Sequence, residues 1–409
     1  MRWQNYPSWL IDDPEHRRML SGEADRLRSF FAQPSGWKRY GWRRFDGSVD
    51  TERPLELYSV ARLVHSFGIA RMLGDEQAGT WGAEGMKLLL SSFVDRRGGF
   101  ADAVAPDGSP VSDRRSAYGH AFALLAGATA VQADLPHGAE LLARARDAID
   151  ELFWDEGTGA AVDEVDSQGK PLSDYRGQNA NMHLTEAFLA CFELTGEVEL
   201  LTRARLLAER FVIRGAAPRE WRVPEHYTHD WEVDEAYGHE KPLDQFRPFG
   251  VMPGHGLEWS RLILAIAAHD SSFDRADEAA RGLFARAVQD GWDEDNGGLN
   301  YTTDFRGEVV GSARMHWVVA EALAAAVWLA RTTGDSQYIQ WYRRFCEWTN
   351  RHVIDRDGGS WWHELDSDNR PASRTWPGKP DLYHAYQAVL SAQLRRPTGL
   401  AAAAARHDL

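Results

Sequence analysis

Apolar residues recur at helical spacing along most of the chain, in two alternating kinds of segment. Stretches 118–126, 181–190, 257–268, 315–324 and 381–390 are apolar on nearly every face, the pattern of helices buried all round. Segments such as 138–153 and 338–353 are apolar on one face only. Between the two kinds lie Gly-rich turns: Asp95-Arg-Arg-Gly-Gly-Phe100, Trp154-Asp-Glu-Gly-Thr-Gly-Ala160, Trp292-Asp-Glu-Asp-Asn-Gly-Gly-Leu299 and Asp355-Arg-Asp-Gly-Gly-Ser-Trp-Trp362. Each copy therefore reads amphipathic helix, turn, short hairpin, apolar helix. Self-similarity at a long period marks a repeat architecture, and helices this apolar must pack on their neighbours. An open solenoid and a closed ring are the alternatives. The apolar helices open with a polar residue just before an alanine, namely His120, Glu186, Glu321 and His384, and Arg62 sits comparably in the segment beginning Leu57. A closed ring points all of these at one mouth. The fold expected is all-α: an (α/α)6 barrel of about six helical hairpins with short hairpin insertions at one mouth. It forms one domain over 1–409, and 396–409, with its alanine run 401–405, reads as a frayed tail.

Composition narrows the function. The chain has 409 residues, 43% hydrophobic and 26% charged, with a net charge of -15. No basic stripe stands out, so nucleic acid is not an expected partner. The opening Met-Arg-Trp-Gln-Asn-Tyr-Pro lacks an apolar signal core, and no segment approaches the ~20 apolar residues of a membrane span. No membrane partner is expected, and a cytoplasmic location follows as the default. Cys191 and Cys346 lie inside apolar helical patterns without metal or redox spacing, which predicts buried free thiols. The 17 Trp, 12 Tyr and 17 Phe suit a cleft that stacks flat apolar faces, as sugar sites do, although aromatic residues also fill cores.

The candidate chemistry centres on Phe249-Gly-Val-Met-Pro-Gly-His-Gly-Leu-Glu-Trp259. Pro253 and Gly254 break the backbone and a helix follows at once. His255 and Glu258, three apart, share a face in its first turn, near the positive end of the helix dipole. His183 and Glu186 repeat that spacing after Asn179 and Asn181, which can cap a helix and bond hydroxyls. His384 also follows a Pro/Gly loop, Trp376-Pro-Gly-Lys-Pro-Asp-Leu-Tyr. Arg62, within an apolar segment, suggests a partner for an anion or oxyanion. His226 and His229, among several acids, raise the question of zinc, but the segment lacks the spacing of a closed site, and a loop covering the substrate is the stronger expectation. No metal and no cofactor is expected. His65, His137, His269 and His352 read as structural residues without partners.

Three motifs, Met252-Pro-Gly-His-Gly-Leu-Glu-Trp259, Asn181-Met-His-Leu-Thr-Glu-Ala187 and Lys379-Pro-Asp-Leu-Tyr-His-Ala385, together resemble the N-acylglucosamine 2-epimerase superfamily over roughly residues 53–394. That group includes mannose isomerases, sulfoquinovose isomerases and cellobiose 2-epimerases. The resemblance implies an (α/α)6 barrel and a cofactor-free reaction on a monosaccharide. It also implies functional roles for Arg62, His183, Arg247, His255, Glu258, Glu321 and His384. Leu55-Glu-Leu-Tyr-Ser-Val-Ala-Arg62 and the His255 motif look most like the isomerase branch. Mannose is favoured because no cationic pair dedicated to a sulfonate is evident, Arg247 being the one residue that could serve it. The expected reaction converts mannose to fructose through a cis-enediolate. His384 and His255 form the acid/base pair, since imidazole can take and return a proton near neutrality. Glu258 orients His255 as a carboxylate does in a triad, and Arg62 and His183 stabilise the enediolate. Glu321 and Arg247 bind hydroxyls, with Asn181, His120 and Glu186 as further contacts, and Trp317 and Trp376 face the ring. Epimerisation at carbon 2 uses the same residues. A glycoside hydrolase would need two carboxylates flanking the bond, for which Glu186 and Glu321 are the candidates. A homo-oligomer is left open.

Overall fold

Six apolar helices stand side by side in a closed ring in the computed structural model, which describes residues 10–95 and 98–409. The opening residues 1–7 and the Arg96-Arg97 pair of the first Gly-rich turn lie outside the described residues. The inner ring is α2 (Leu57–Met72), α4 (Ala117–Gln132), α6 (Gln178–Thr195), α8 (Pro253–His269), α10 (His316–Thr333) and α12 (Tyr383–Ser391). Each packs on the next, and α12 packs back on α2. Outside them lie α3 (Glu76–Leu88), α5 (Gly138–Leu152), α7 (Val198–Ala208), α9 (Ala276–Gly291) and α11 (Ser336–Trp348), each against the inner helix that precedes it. The sixth outer helix is α1 (Pro14–Phe30), which packs on α12, so the start of the chain completes the hairpin begun at its end. This is the (α/α)6 barrel that the repeat predicts. Segment 117–130 of α4 is buried on every face except at Tyr118, whereas α5 buries only its Leu141, Ala145, Ile149 face.

The sequence states the ends of these helices. Asp75 accepts hydrogen bonds from the amides of Gln77 and Ala78 at the start of α3, and Gly196 and Gly334 end α6 and α10 in the left-handed region, where glycine carries no Cβ penalty. Three outer helices, α3, α7 and α11, run out through a widened π turn before the next hairpin.

At one end of the ring the short strands join neighbouring repeats. The strand before an inner helix pairs antiparallel with the hairpin of the next repeat, with Leu55 opposite Val104, Arg115 opposite Val165, Gly177 opposite His226 and Met315 opposite Glu364. The amides of Leu57, Ala117, Gln178 and His316 donate to the carbonyls of Asp102, Asp163, Glu225 and His363. Lys379 does the same to Arg43, closing the ring between the last repeat and the first. These bonds satisfy donors that a helix start leaves open and hold the helix starts around one mouth.

The C-terminal segment differs from expectation. Residues Leu400–Ala405 form α13, whose Leu400 and Ala401–Ala404 are buried against α2, α4 and α6 at the opposite end of the barrel. Small side chains let that helix sit flat on the inner ring, and Glu193 accepts from Thr398 Oγ1 at 2.6 Å and from the Gly399 amide. Cys191 and Cys346 are buried and free. No helix among the described residues is long and apolar enough to cross a membrane.

Candidate active site

Residues four apart on the first turns of the inner helices point to the barrel axis: Tyr58 and Arg62, Tyr118 and Phe122, Asn179 and His183, Trp317 and Glu321. Several of them, with His255 and Glu258 of α8 and His384 of α12, wall a narrow cavity of about 40 Å3. Arg62, His183, His255, Glu258, Trp317, Trp376 and His384 all line it, as do Tyr118, Asn179, Tyr301, His316 and Asp381. The loop after His226 brings Gln245, Phe246 and Met252 over the mouth. Phe246 sits edge-on to Tyr118 and Trp376. A wider vestibule outside shares Tyr118, Asn179 and Phe246 with the cavity and contains Arg247.

The two loop-delivered histidines are built alike. His384 Nδ1 lies 2.6 Å from Asp381 Oδ2, and His255 Nδ1 lies 2.8 Å from Glu225 Oε2. A carboxylate on Nδ1 places the proton there and leaves Nε2 as the basic nitrogen. Nε2 of neither ring has a protein partner among the described residues. Gln178 Nε2 lies 2.8 Å from both Glu225 Oε2 and His255 Nδ1, joining the pair, while its own Oε1 accepts from Trp259. Trp317 lies between the two imidazoles, with ring centroids 5.1 Å from His255 and 6.0 Å from His384. Burial pushes His384 below the ordinary histidine range even though Asp381 pulls the other way, so its imidazole is neutral at pH 7. Burial opposes the ionisation of Asp381, but His384, Arg62 and the donated hydrogen bonds hold it well below the usual carboxylate range.

Glu258 does not orient His255. Its Oε1 lies 3.5 Å from His183 Nδ1 and 3.7 Å from Arg261. His255, at the very start of α8, leans out toward the hairpin that carries Glu225, while Glu258, one turn deeper, faces the axis; shared spacing does not give a shared direction at a helix end. Burial and then the charge of Glu321 push the Glu258 carboxyl well above its ordinary range, against the pull of Arg261. Burial, then the charges of Arg62 and the other histidines, keep His183 neutral. Glu258 Oε1 and His183 Nδ1 are buried facing each other and have no hydrogen-bond partner among the described residues. Arg62 donates to Tyr118 at 2.8 Å, lies 3.6 Å from Asp381 and packs over Phe122.

Other candidates fall elsewhere. His120 is fully buried, bonded through Nδ1 to the Ser116 carbonyl and through Nε2 to the Phe100 amide. Asn181, one repeat later, bonds the Ala161 amide and carbonyl and the Gly177 carbonyl. Both side chains tie a helix start to its hairpin and do not line the cavity. Glu186 and Glu321 lie below the cavity floor on Arg261, at 3.3 and 2.9 Å. Glu186 also accepts from Tyr383. Glu186 borders a separate small pocket with His65 and Arg261, which Glu321 does not line, so the two do not flank one open site as a glycosidase pair would. Arg247 is engaged by Glu164 at 2.8 Å and stacks on Tyr175. His226 is buried between Tyr175 and the Pro248 carbonyl, whereas His229 is exposed beside Asp230. His65, His137 and His269, expected to have no partners, bond Thr129, Glu140 and Glu193.

Glu225, Asp381, Tyr118, His316 and Arg261 were missed by sequence reasoning. Asp381 stood in the His384 motif, one turn ahead. Arg261 is a lone arginine in an apolar helix, the signal that singled out Arg62. Glu225 lies thirty residues from His255, and only its place in the repeat, the hairpin position of Asp102, Asp163 and His363, marks it. Among the described residues, three sets of side chains bring atoms that could face a cation within 4.8 Å of one another: His316, Asp381 and His384; His183, Glu186 and Glu258; and Glu258, Glu321 and His384. The first is already bonded within itself.

Residues 39–388 match the model of the N-acylglucosamine 2-epimerase family. The chain belongs to this family. Within the N-acylglucosamine 2-epimerase family it is 39% identical to a D-mannose isomerase of Thermobifida fusca, over 91% of this chain and 93% of that one. It is 37% identical to a D-mannose isomerase of Pseudomonas cannabina pv. alisalensis, over 98% of both. A solved D-mannose isomerase superposes with a TM-score of 0.88 at 30% identity, covering 95% of this chain and 99% of the other. The cellobiose 2-epimerase of Spirochaeta thermophila, at 21% identity and a TM-score of 0.80 over 93% of this chain and 96% of that one, shares the fold.

Proposed function

We propose that the protein is an aldose–ketose isomerase that interconverts D-mannose and D-fructose. One observation carries the mechanism: two imidazoles, each held by its own buried carboxylate at Nδ1, wall one cavity on either side of Trp317. The reaction requires an open-chain aldose, loss of the proton on carbon 2, and delivery of a proton to carbon 1. One histidine takes the carbon-bound proton at Nε2 as electrons move onto the aldehyde oxygen, giving the cis-enediolate, and returns it to carbon 1. The other serves ring opening and the oxygen protons. A neutral His384 suits proton removal, because an imidazolium cannot accept. Arg62, fixed by Tyr118 and Asp381, supplies a positive charge for the developing enediolate in a site largely removed from water. The choice of mannose rests on the two D-mannose isomerases that match this chain nearly end to end.

Incubation in deuterated water with mannose, glucose, N-acetylmannosamine and cellobiose, followed by NMR, tests the reading. Fructose from mannose is the expected product, with deuterium at carbon 1 in the fraction whose abstracted proton exchanges with solvent before it is returned. Glucose from mannose with deuterium at carbon 2 would show an epimerase instead, and no conversion of any of these sugars would overturn both.

A further inference from the structure

Asp381 is shared. The same Oδ2 that lies 2.6 Å from His384 Nδ1 lies 3.2 Å from His316 Nε2. His316 cannot swing away, because its ring stacks on His363 with centroids 3.8 Å apart and planes 7° from parallel; the tautomer with its proton on Nε2 faces Asp381. His363 is fully buried and neither of its ring nitrogens has a hydrogen-bond partner, so it forms a platform and does not compete for Asp381. The other groups facing His384 are Arg62 of α2, His183 of α6, and Glu258 and Glu321 on α8 and α10.

We propose that His316 is a positioning residue: by donating to the carboxylate oxygen that holds His384, it divides that charge between two imidazoles, so that His384 both takes up and gives back a proton. An undivided, buried carboxylate would grip the Nδ1 proton of His384 and favour the imidazolium, as an opposite charge within hydrogen-bond reach does. The imidazolium would then be slow to release the proton that isomerisation must return. The arrangement explains why an imidazole stands at the cavity wall with its Nε2 turned away from the open space and toward Asp381. Its consequence for turnover rests on the isomerase reading, but the effect on His384 does not.

The test is therefore made on the substrate-free protein. The Cε1–H resonance of His384, assigned by its loss in His384→Gln, is titrated by NMR in the wild type and in His316→Phe, His316→Met and His316→Gln. Phenylalanine keeps the stack on His363 without a donor, methionine fills similar space, and glutamine keeps an N–H for Asp381. The midpoint is expected to rise by about half to one pH unit in the Phe and Met variants, the scale of one lost hydrogen bond to a carboxylate, and to stay near the wild type in Gln. The acid limb of kcat/KM on mannose should move with it. A midpoint that is unchanged or lower without the donor, or a Gln variant shifted as far as Phe and Met, would overturn the proposal. A uniform loss of activity at every pH with the midpoint unmoved would leave His316 only a packing role. A protein inactive on mannose would still show the titration, which separates this inference from the functional one.

Discussion

Replacing Glu225 by glutamine isolates the contact that distinguishes the tertiary site from the spacing of its motif. In the wild type His255 Nδ1 faces both carboxylate oxygens of Glu225, at 3.0 and 2.8 Å, and Glu225 is almost fully buried. A hydrogen bond to a charged group contributes about 1.5–3 kcal/mol and a neutral one about 0.5–1.5, so the change costs about 1.5 kcal/mol when His255 becomes an imidazolium. The Coulomb attraction lost at this separation, with the effective dielectric that suits protein sites, sets an upper bound near 4 kcal/mol. At 1.36 kcal/mol per decade, kcat should fall between about tenfold and a thousandfold. KM should change little, because Glu225 does not line the cavity. Glu258→Gln, which keeps a neutral side chain that can still donate, should fall less. The assay is steady-state fructose formation from mannose, with circular dichroism to confirm folding. An unchanged kcat in Glu225→Gln, beside a Glu258→Gln variant as impaired as His255→Ala, would refute the argument and return the orienting role to Glu258.

His255→Ala and His384→Ala should each lose at least about 100-fold in kcat, the low end of positioned acid/base catalysis; a raised KM with kcat intact would make them binding residues only. Activity should survive exhaustive chelation, because the proton transfers assigned to these histidines need no Lewis acid; loss restored by one added divalent metal would count against the assignment. Burial, outweighing nearby Arg247, raises Asp163 to about 7, so between about pH 4 and 7 the folded state keeps a proton that the unfolded chain releases, and stability falls as pH rises through that window. Asp163→Asn should therefore melt above the wild type at pH 8 and converge with it near pH 4; equal melting temperatures at both would refute this. A Cβ on Gly254 would meet Trp317 Cζ3 and, at 2.6 Å, Cη2, so Gly254→Ala should displace the indole between the two histidines and lower kcat/KM, with near-UV circular dichroism reporting the moved tryptophan.

The barrel was legible because its signal is local and repeated. Apolar helices alternating with amphipathic ones, punctuated by Gly-rich turns, state buried inner and half-buried outer helices without any knowledge of contacts. His255, His384 and Arg62 were legible for a related reason: a loop-delivered histidine at a helix start, or an arginine inside an apolar run, departs from the pattern around it. The repeat was also the source of errors. His120 and Asn181 stand at helix starts like His255 and His384, but their position turns the side chain back onto a hairpin backbone, and period alone does not tell inward from backward.

By itself the sequence determined the all-α ring and the helix starts as the place of chemistry, because periodicity and breakers act within a few residues. Only the tertiary structure decided which carboxylate serves which imidazole. Glu225 reaches His255 across thirty residues, since the strand before α6 pairs with the hairpin of the next repeat, and Asp381 is shared with His316 from another helix. It also decided that Ala401–Ala404 seal the far end of the barrel rather than fray, because a run of alanines carries no periodic face of its own and is ordered by the apolar surface it covers.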